Sequence, residues 1–183
     1  VIIPGILASS KTGRLWAPSQ DYVSISTATV TSGGASTLTF STIPSTYKHL
    51  QIRMTTLASV TSNVLLQLNG DAGNNYYWHE LFGEGTTASA ANSGAQVAFI
   101  KTGYTNSSSA SYPGASIVDI VDYANTNKNK TVRALTGSDS NGSGYVLLRS
   151  GLWTSTTAIS SITIYLASGS FSQYSQFSLY GVN

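Results

Sequence analysis

Two histidines, seven carboxylates and no cysteine are all that this chain offers for acid–base, thiol or metal chemistry. A hydrolytic triad needs a nucleophile, a positioned base and an orienting acid. Serines abound, but no Gly-x-Ser-x-Gly elbow is present. The most enzyme-like pair is His79 beside Glu80, in Tyr76-Tyr77-Trp78-His79-Glu80-Leu81. Neighbours in a strand point to opposite faces, so these two side chains are expected to diverge. The expectation for His79 is a hydrogen-bonded surface or interface histidine. His49 opens a strand after Lys48 and sits in no catalytic motif.

Paired carboxylates would be required for glycoside hydrolysis. Asp119 and Asp122 are three apart and should face opposite sides of a strand, whereas Glu80 and Glu84 are four apart and could share one. With so few carboxylates, chance explains such a pair. Two turns invite a calcium reading. Asn69-Gly70-Asp71-Ala72-Gly73-Asn74 alternates oxygen ligands, but has Asn74 where a calcium loop wants glycine. Asp139-Ser140-Asn141-Gly142-Ser143-Gly144 has that glycine, but Ser150 replaces the bidentate carboxylate. Both read as hairpin turns, and no metal or other cofactor is expected. Asn106, Asn129 and Asn141 begin glycosylation-type triplets, which Ser/Thr-rich chains generate by chance.

The elements that would position these residues follow a period of two. Alternation marks residues 22–30, 38–40, 49–54, 64–68, 76–81, 96–101, 116–123, 131–135, 145–149, 159–166 and 176–182, about eleven short strands. Asn69-Gly70, Ser93-Gly94, Asn141-Gly142 and Ser168-Gly169 supply turn chemistry between them. No stretch carries a capped helical stripe. Residues 21–183 are therefore expected to fold as an all-β, jelly-roll-like β-sandwich. Residues 1–20 differ: apolar anchors Ile2, Ile3, Ile6, Leu7, Leu15 and Trp16 lie among Pro4, Pro18, Lys11 and Arg14, without periodicity. They read as an extended arm that wraps its own domain or lies along a neighbour, with a lead-in strand as the alternative. Their opening resembles a signal peptide's apolar region, but no basic residues precede it and Pro4-Gly5 interrupts it, so a targeting role is not expected.

Only 9% of residues are charged and the net charge is +2. Soluble domains average roughly 25% charged. A polar but uncharged Ser/Thr/Asn surface is commoner on shells, fibres and secreted β-proteins than on cytosolic enzymes. No basic cluster could track a phosphate backbone, so nucleic acid is not an expected partner. No apolar run reaches the roughly 20 residues of a membrane helix. Aromatics are plentiful: eleven Tyr, five Phe and three Trp. Tyr and Trp suit sugar stacking and protein interfaces alike. Trp78 and Phe177 are expected in the core, while Tyr76, Tyr112 and Tyr174 are candidates for exposed, glycan-facing rings.

Several strings together resemble small virion structural proteins of tailed bacteriophages. They are Asn69-Gly70-Asp71 with Tyr76-x-Trp78-His79-x-Leu81, and Asp119-Ile120-Val121-Asp122-Tyr123-Ala124-Asn125-Thr126-Asn127-Lys128. Ser150-Gly151-Leu152-Trp153 and the closing Phe177-Ser178-Leu179-Tyr180-Gly181-Val182 complete them, with Ile3-Pro4-Gly5-Ile6-Leu7-Ala8-Ser9 in the arm. The resemblance implies a non-enzymatic particle component on the virion surface. The first expectation is a capsid decoration (cement) protein, a homo-oligomer (a trimer by this resemblance), whose arm docks on the major capsid protein or another virion subunit. In that reading Ile2, Ile3, Ile6, Leu7, Leu15 and Trp16 bury against the shell, and Lys11 and Arg14 meet acidic groups there. The alternative is a tail-fibre or receptor-binding tip that holds host polysaccharide on Tyr76, Tyr112 or Tyr174. A weaker third reading is a depolymerising glycosidase on Glu80 and Glu84.

Overall fold

A computed structural model describes residues 21–107, 111–140 and 142–183. The arm expected over residues 1–20 lies outside the described residues, as does Asn141. Among the described residues there is no helix and there are twelve strands. They are β1 (Tyr22–Thr29), β2 (Thr37–Phe40), β3 (His49–Ala58), β4 (Ser62–Leu68), β5 (Tyr76–Glu84) and β6 (Thr87–Asn92). β7 (Ile100–Ser107), β8 (Gly114–Val121), β9 (Lys130–Asp139), β10 (Gly144–Trp153), β11 (Ile162–Leu166) and β12 (Gln176–Val182) follow.

Eight strands form one antiparallel sheet in the order β1-β12-β3-β8-β9-β10-β5-β6. Four form a second, β2-β11-β4-β7. A two-residue parallel bridge from β3 to β7 ties the sheets at one corner. The nesting of β1 on β12, β2 on β11 and β3 on β8, with β4 on β7, is that of a jelly roll. Two hairpins are inserted into it. β5–β6 leaves between β4 and β7, β9–β10 leaves between β8 and β11, and the two zip together to widen the larger sheet by four strands. This four-strand annex gives the molecule its asymmetry.

Alternation builds the core. Leu50 and Ile52 of β3, Val118 and Ile120 of β8, and Phe177 and Leu179 of β12 face Val64, Leu66 and Leu68 of β4 and Ile162 and Ile164 of β11, all fully buried. Each such side chain contributes roughly 1.5–3 kcal/mol, as an upper estimate. Gly151 of β10 is required where β7 crosses the annex, because an added Cβ would lie 2.3 Å from the Ile100 side chain. The loop from β8 to β9 is pinned from within. Tyr123 is buried with its hydroxyl donating to the Pro44 carbonyl, and Lys130 is buried with Nζ donating to the carbonyls of Asn125, Lys128 and Thr156 at 2.7, 2.9 and 2.9 Å. The Asp122–Lys128 string is therefore structural.

Candidate docking face

The outer surface of the annex, together with the adjoining strand β8, is apolar and open. Strand register arranges its outward side chains in rows. Ile117, Leu135, Leu148, Leu81 and Ala90 lie opposite one another across β8, β9, β10, β5 and β6. The next row is Ala115, Gly137, Val146, Gly83 and Ala88. Ile117, Leu135, Leu148, Leu81 and Val146 are 44 to 62% exposed. Ten adjoining positions in two rows thus carry no polar side chain. A contiguous apolar patch of this kind on a soluble domain marks an interaction site or a liability. Polar residues border it: Asp119, Arg133, Ser150, His79 and Asn92 form the following row. A shallow open groove of about 560 Å³ runs along this boundary, between Leu81, Ala90 and Leu148 on one side and Arg133, Ser150 and His79 on the other.

Behind this face the polarity inverts. Arg149 points inward, 2% exposed, and donates from Nε to Glu80 at 2.8 Å and from NH2 to Asn63 Oδ1 at 2.7 Å. Its NH1 donates to the Gly103 carbonyl. Lys101 reaches the other Glu80 oxygen at 3.2 Å while lying over the Trp78 ring, 3.8 Å from its centroid. Burial pushes the Arg149 guanidinium's pKa down, and Glu80 opposes that shift. Beyond them Tyr145 donates to Glu84 at 2.6 Å, a bond that raises the phenol above its usual range.

Each residue singled out for chemistry has a definite place in this geometry. His79 faces outward on the polar row and Glu80 faces inward, so the pair diverges as alternation requires. Glu80 and Glu84 do share the inner face, opposite Arg149 and Tyr145. Both oxygens of Glu80, however, are held by the Lys101 and Arg149 side chains. Asp119 faces out and pairs with Arg133 at 2.9 Å; Asp122 lies past the strand end and pairs with Lys128. His49 accepts the Asp122 N–H on Nδ1 at 3.0 Å.

The side-chain oxygens of Asn69 and Asp71 are equally committed. Asn69 Oδ1 accepts from Ser160 and Ser161 N–H, and Asp71 accepts from the Trp153 indole at 2.7 Å, from Gly73 N–H at 2.9 Å and from Asn75. These donors hold the Asp71 carboxyl below its usual range, the Trp153 indole foremost. Among the described residues no three metal-ligating acids or histidines come together. Asn106 is buried and donates to the carbonyls of Tyr112 and Asp139, which leaves no room for a glycan.

Of the three tyrosines expected at the surface, Tyr76 must be corrected. It is fully buried, because the first position of β5 turns inward. Its ring stacks on Trp153 with centroids 6.2 Å apart, and its hydroxyl donates to the Asp71 carbonyl at 2.9 Å. Burial raises its pKa to about 12. Tyr112 and Tyr174 are 40% and 76% exposed. Tyr174 follows β11 in a loop tied to Leu57, and Tyr112 precedes β8 beside Asn106. Leu57 and Asn106 pair across the sheets, so both rings project from the same end of the sandwich.

The arm residues Ile2, Ile3, Ile6, Leu7, Lys11, Arg14, Leu15 and Trp16 lie outside the described residues. The apolar face itself was missed by the sequence reading. Its signal is the doubled apolar pattern of Ile117-Val118 and Val146-Leu147-Leu148, where both faces of a strand are hydrophobic. No protein-family model matches the chain, and no curated protein matches it.

Proposed function

We propose that this protein is a structural component of a tailed-phage particle, a capsid decoration protein that works by contact and performs no catalysis. The observation that carries this reading is the five-strand apolar face on the outside of a chemically committed sandwich. Such a face costs solubility and is retained where an assembly covers it. His49, Asp71, Glu80, Glu84, Asp119 and Asp122 are held in ion pairs and hydrogen bonds of the chain's own, and His79 stands on the polar border of the face with no catalytic partner beside it among the described residues. The virion assignment rests on the sequence resemblance, and residues 1–20 supply the anchors for the shell. Many such contacts repeated over a particle add through avidity.

The test is reconstitution on particles lacking the protein. Wild-type chain should coat them in hundreds of copies, an order of magnitude set by shell symmetry. A chain lacking residues 1–20 should stay folded and fail to coat. Full coating by that truncation contradicts the arm's role.

A second reading keeps one specific observation in its favour. Tyr174 is a non-glycine residue at φ 71°, its ring largely exposed, at the end of the sandwich that also presents Tyr112. Strained, exposed aromatics suit a glycan-binding tip. Copy number separates the readings, since a tail component is present in a few to a few dozen copies, roughly. Loss of host-cell adherence in Tyr174→Ala would favour the tip.

A further inference from the structure

We infer that the annex face is the site where a second copy of this chain docks, face to face about a two-fold axis that runs across the strands. This rests on reading the face as a docking surface and adds its occupant. The argument is that the face complements itself. Along β9 the outward residues are Asp139, Gly137, Leu135 and Arg133 in order. A two-fold axis between the Gly137 and Leu135 rows lays each copy's larger row on the other's smaller row. Leu135 then meets Gly137 of the second copy, Leu81 meets Gly83, and Ile117 meets Ala115. Val146 and Leu148 of β10 meet reciprocally. The two glycines have nothing within 4 Å of an added Cβ, so they are open hollows on the surface.

The same operation sets charges in register. Arg133 of one copy falls opposite Asp139 of the other, twice per dimer. Arg133 bonds Asp119 of its own chain and remains well exposed, so it borders the apolar rows as a rim charge. A net charge of +2 adds little repulsion.

The area also fits. Five strands spaced about 4.8 Å apart, with three full outward rows about 6.8 Å apart and a fourth on β9 and β10 alone, cover a plane of roughly 550 Å² per copy, or about 1,100 Å² in all before the relief of the side chains is added. Specific protein interfaces bury about 1,200–2,000 Å². Two such sheets would stack about 10 Å apart, as sandwich sheets do.

The experiment is sedimentation velocity on the full chain, with circular dichroism as the check on folding. Wild-type chain should be dimeric at concentrations of order 10 µM. Gly137→Phe fills an open hollow without touching the fold and should weaken the dimer at least about 100-fold. Arg133→Asp should weaken it about 10-fold, and the double change Arg133→Asp with Asp139→Arg should restore it. Restoration supports this register, because no other pairing predicts it. A dimer indifferent to Gly137→Phe, or no restoration in the double variant, overturns the proposal. So does a monomeric wild-type chain. If that monomer still coats particles, the virion reading stands and only the second copy falls. If it neither pairs nor coats, both fall.

Discussion

Two halves of one sheet obey opposite rules. In the jelly-roll half, β3 and β12 turn Leu50, Ile52, Phe177 and Leu179 inward and show Gln51, Arg53, Ser178 and Tyr180 on the outer side. There Arg53 lies between two tyrosine rings, 5.2 Å from Tyr22 and 4.9 Å from Tyr180. In the annex half, β10 buries Arg149 and exposes Leu148, while β5 turns Glu80 inward and Leu81 outward. One half is finished in isolation. The other carries its charges inside and its hydrophobic groups outside, an arrangement that makes sense when a neighbour supplies the missing layer. A sheet's outer face therefore reports function where its polarity departs from the fold's own requirement.

The comparison can be broken most severely at Arg149. Arg149→Met leaves Glu80 with Lys101 alone and strands Asn63 and the Gly103 carbonyl. The expected loss is about 3–5 kcal/mol in a urea melt. A loss under about 1 kcal/mol would mean that the buried network is ornamental. Next in size is Lys130→Met, which removes a buried ammonium and deprives three carbonyls of their donor, and should cost roughly 2–3 kcal/mol. It should loosen the loop from β8 to β9, seen as faster amide exchange around Asn125. In the jelly-roll half, Arg53→Ala removes ring stacking and the Nε bond to Gln51 Oε1 and should cost about 1 kcal/mol.

Acid sharpens the picture at the end of the annex. Because Asp71 is held below its usual range in the fold, its contribution is complete above the unfolded value near pH 4 and disappears as pH falls through the lower, folded value. Stability should drop as pH falls from about 5 through the unfolded carboxylate range and below it, and Asp71→Asn should flatten that part of the curve. The smallest effect is expected on the outer apolar rows. Leu148→Ser and Leu81→Ser should change the stability of the lone chain by less than about 0.5 kcal/mol, because these side chains lack a partner layer within it.

Much of the fold was legible because Ser and Thr hold the polar positions of clean alternations. Residues 22–30, 131–135 and 176–182 map directly onto β1, β9 and β12. β6 was not legible: Thr87-Ala88-Ser89-Ala90-Ala91-Asn92 has no large apolar residue, and its pairing with β5 holds it in the sheet. β7 was expected over residues 96–101 and runs instead from Ile100 to Ser107. Its buried polar positions are Thr102, Thr105 and Asn106, which satisfy their polar groups on the carbonyls of Val64, Thr56 and Tyr112 and so look like surface in the sequence. The docking face depends on register among strands far apart in the chain, such as Leu135 beside Leu148 beside Leu81. No local pattern encodes which faces those residues share. The inward turn of Tyr76 was hidden for a related reason, since it is decided by where β5 begins.

The chain lacks cysteine, which permits a direct measurement of whether the annex face is covered in the working assembly. Single cysteines would replace Leu148 on the apolar half and Thr55 on the polar half, and maleimide labelling would be compared between assembled particles and dilute free chain. A face made for docking predicts that the Leu148→Cys thiol is protected at least about 10-fold in the particle while Thr55→Cys labels at an unchanged rate. Equal labelling of Leu148→Cys in both states would contradict it.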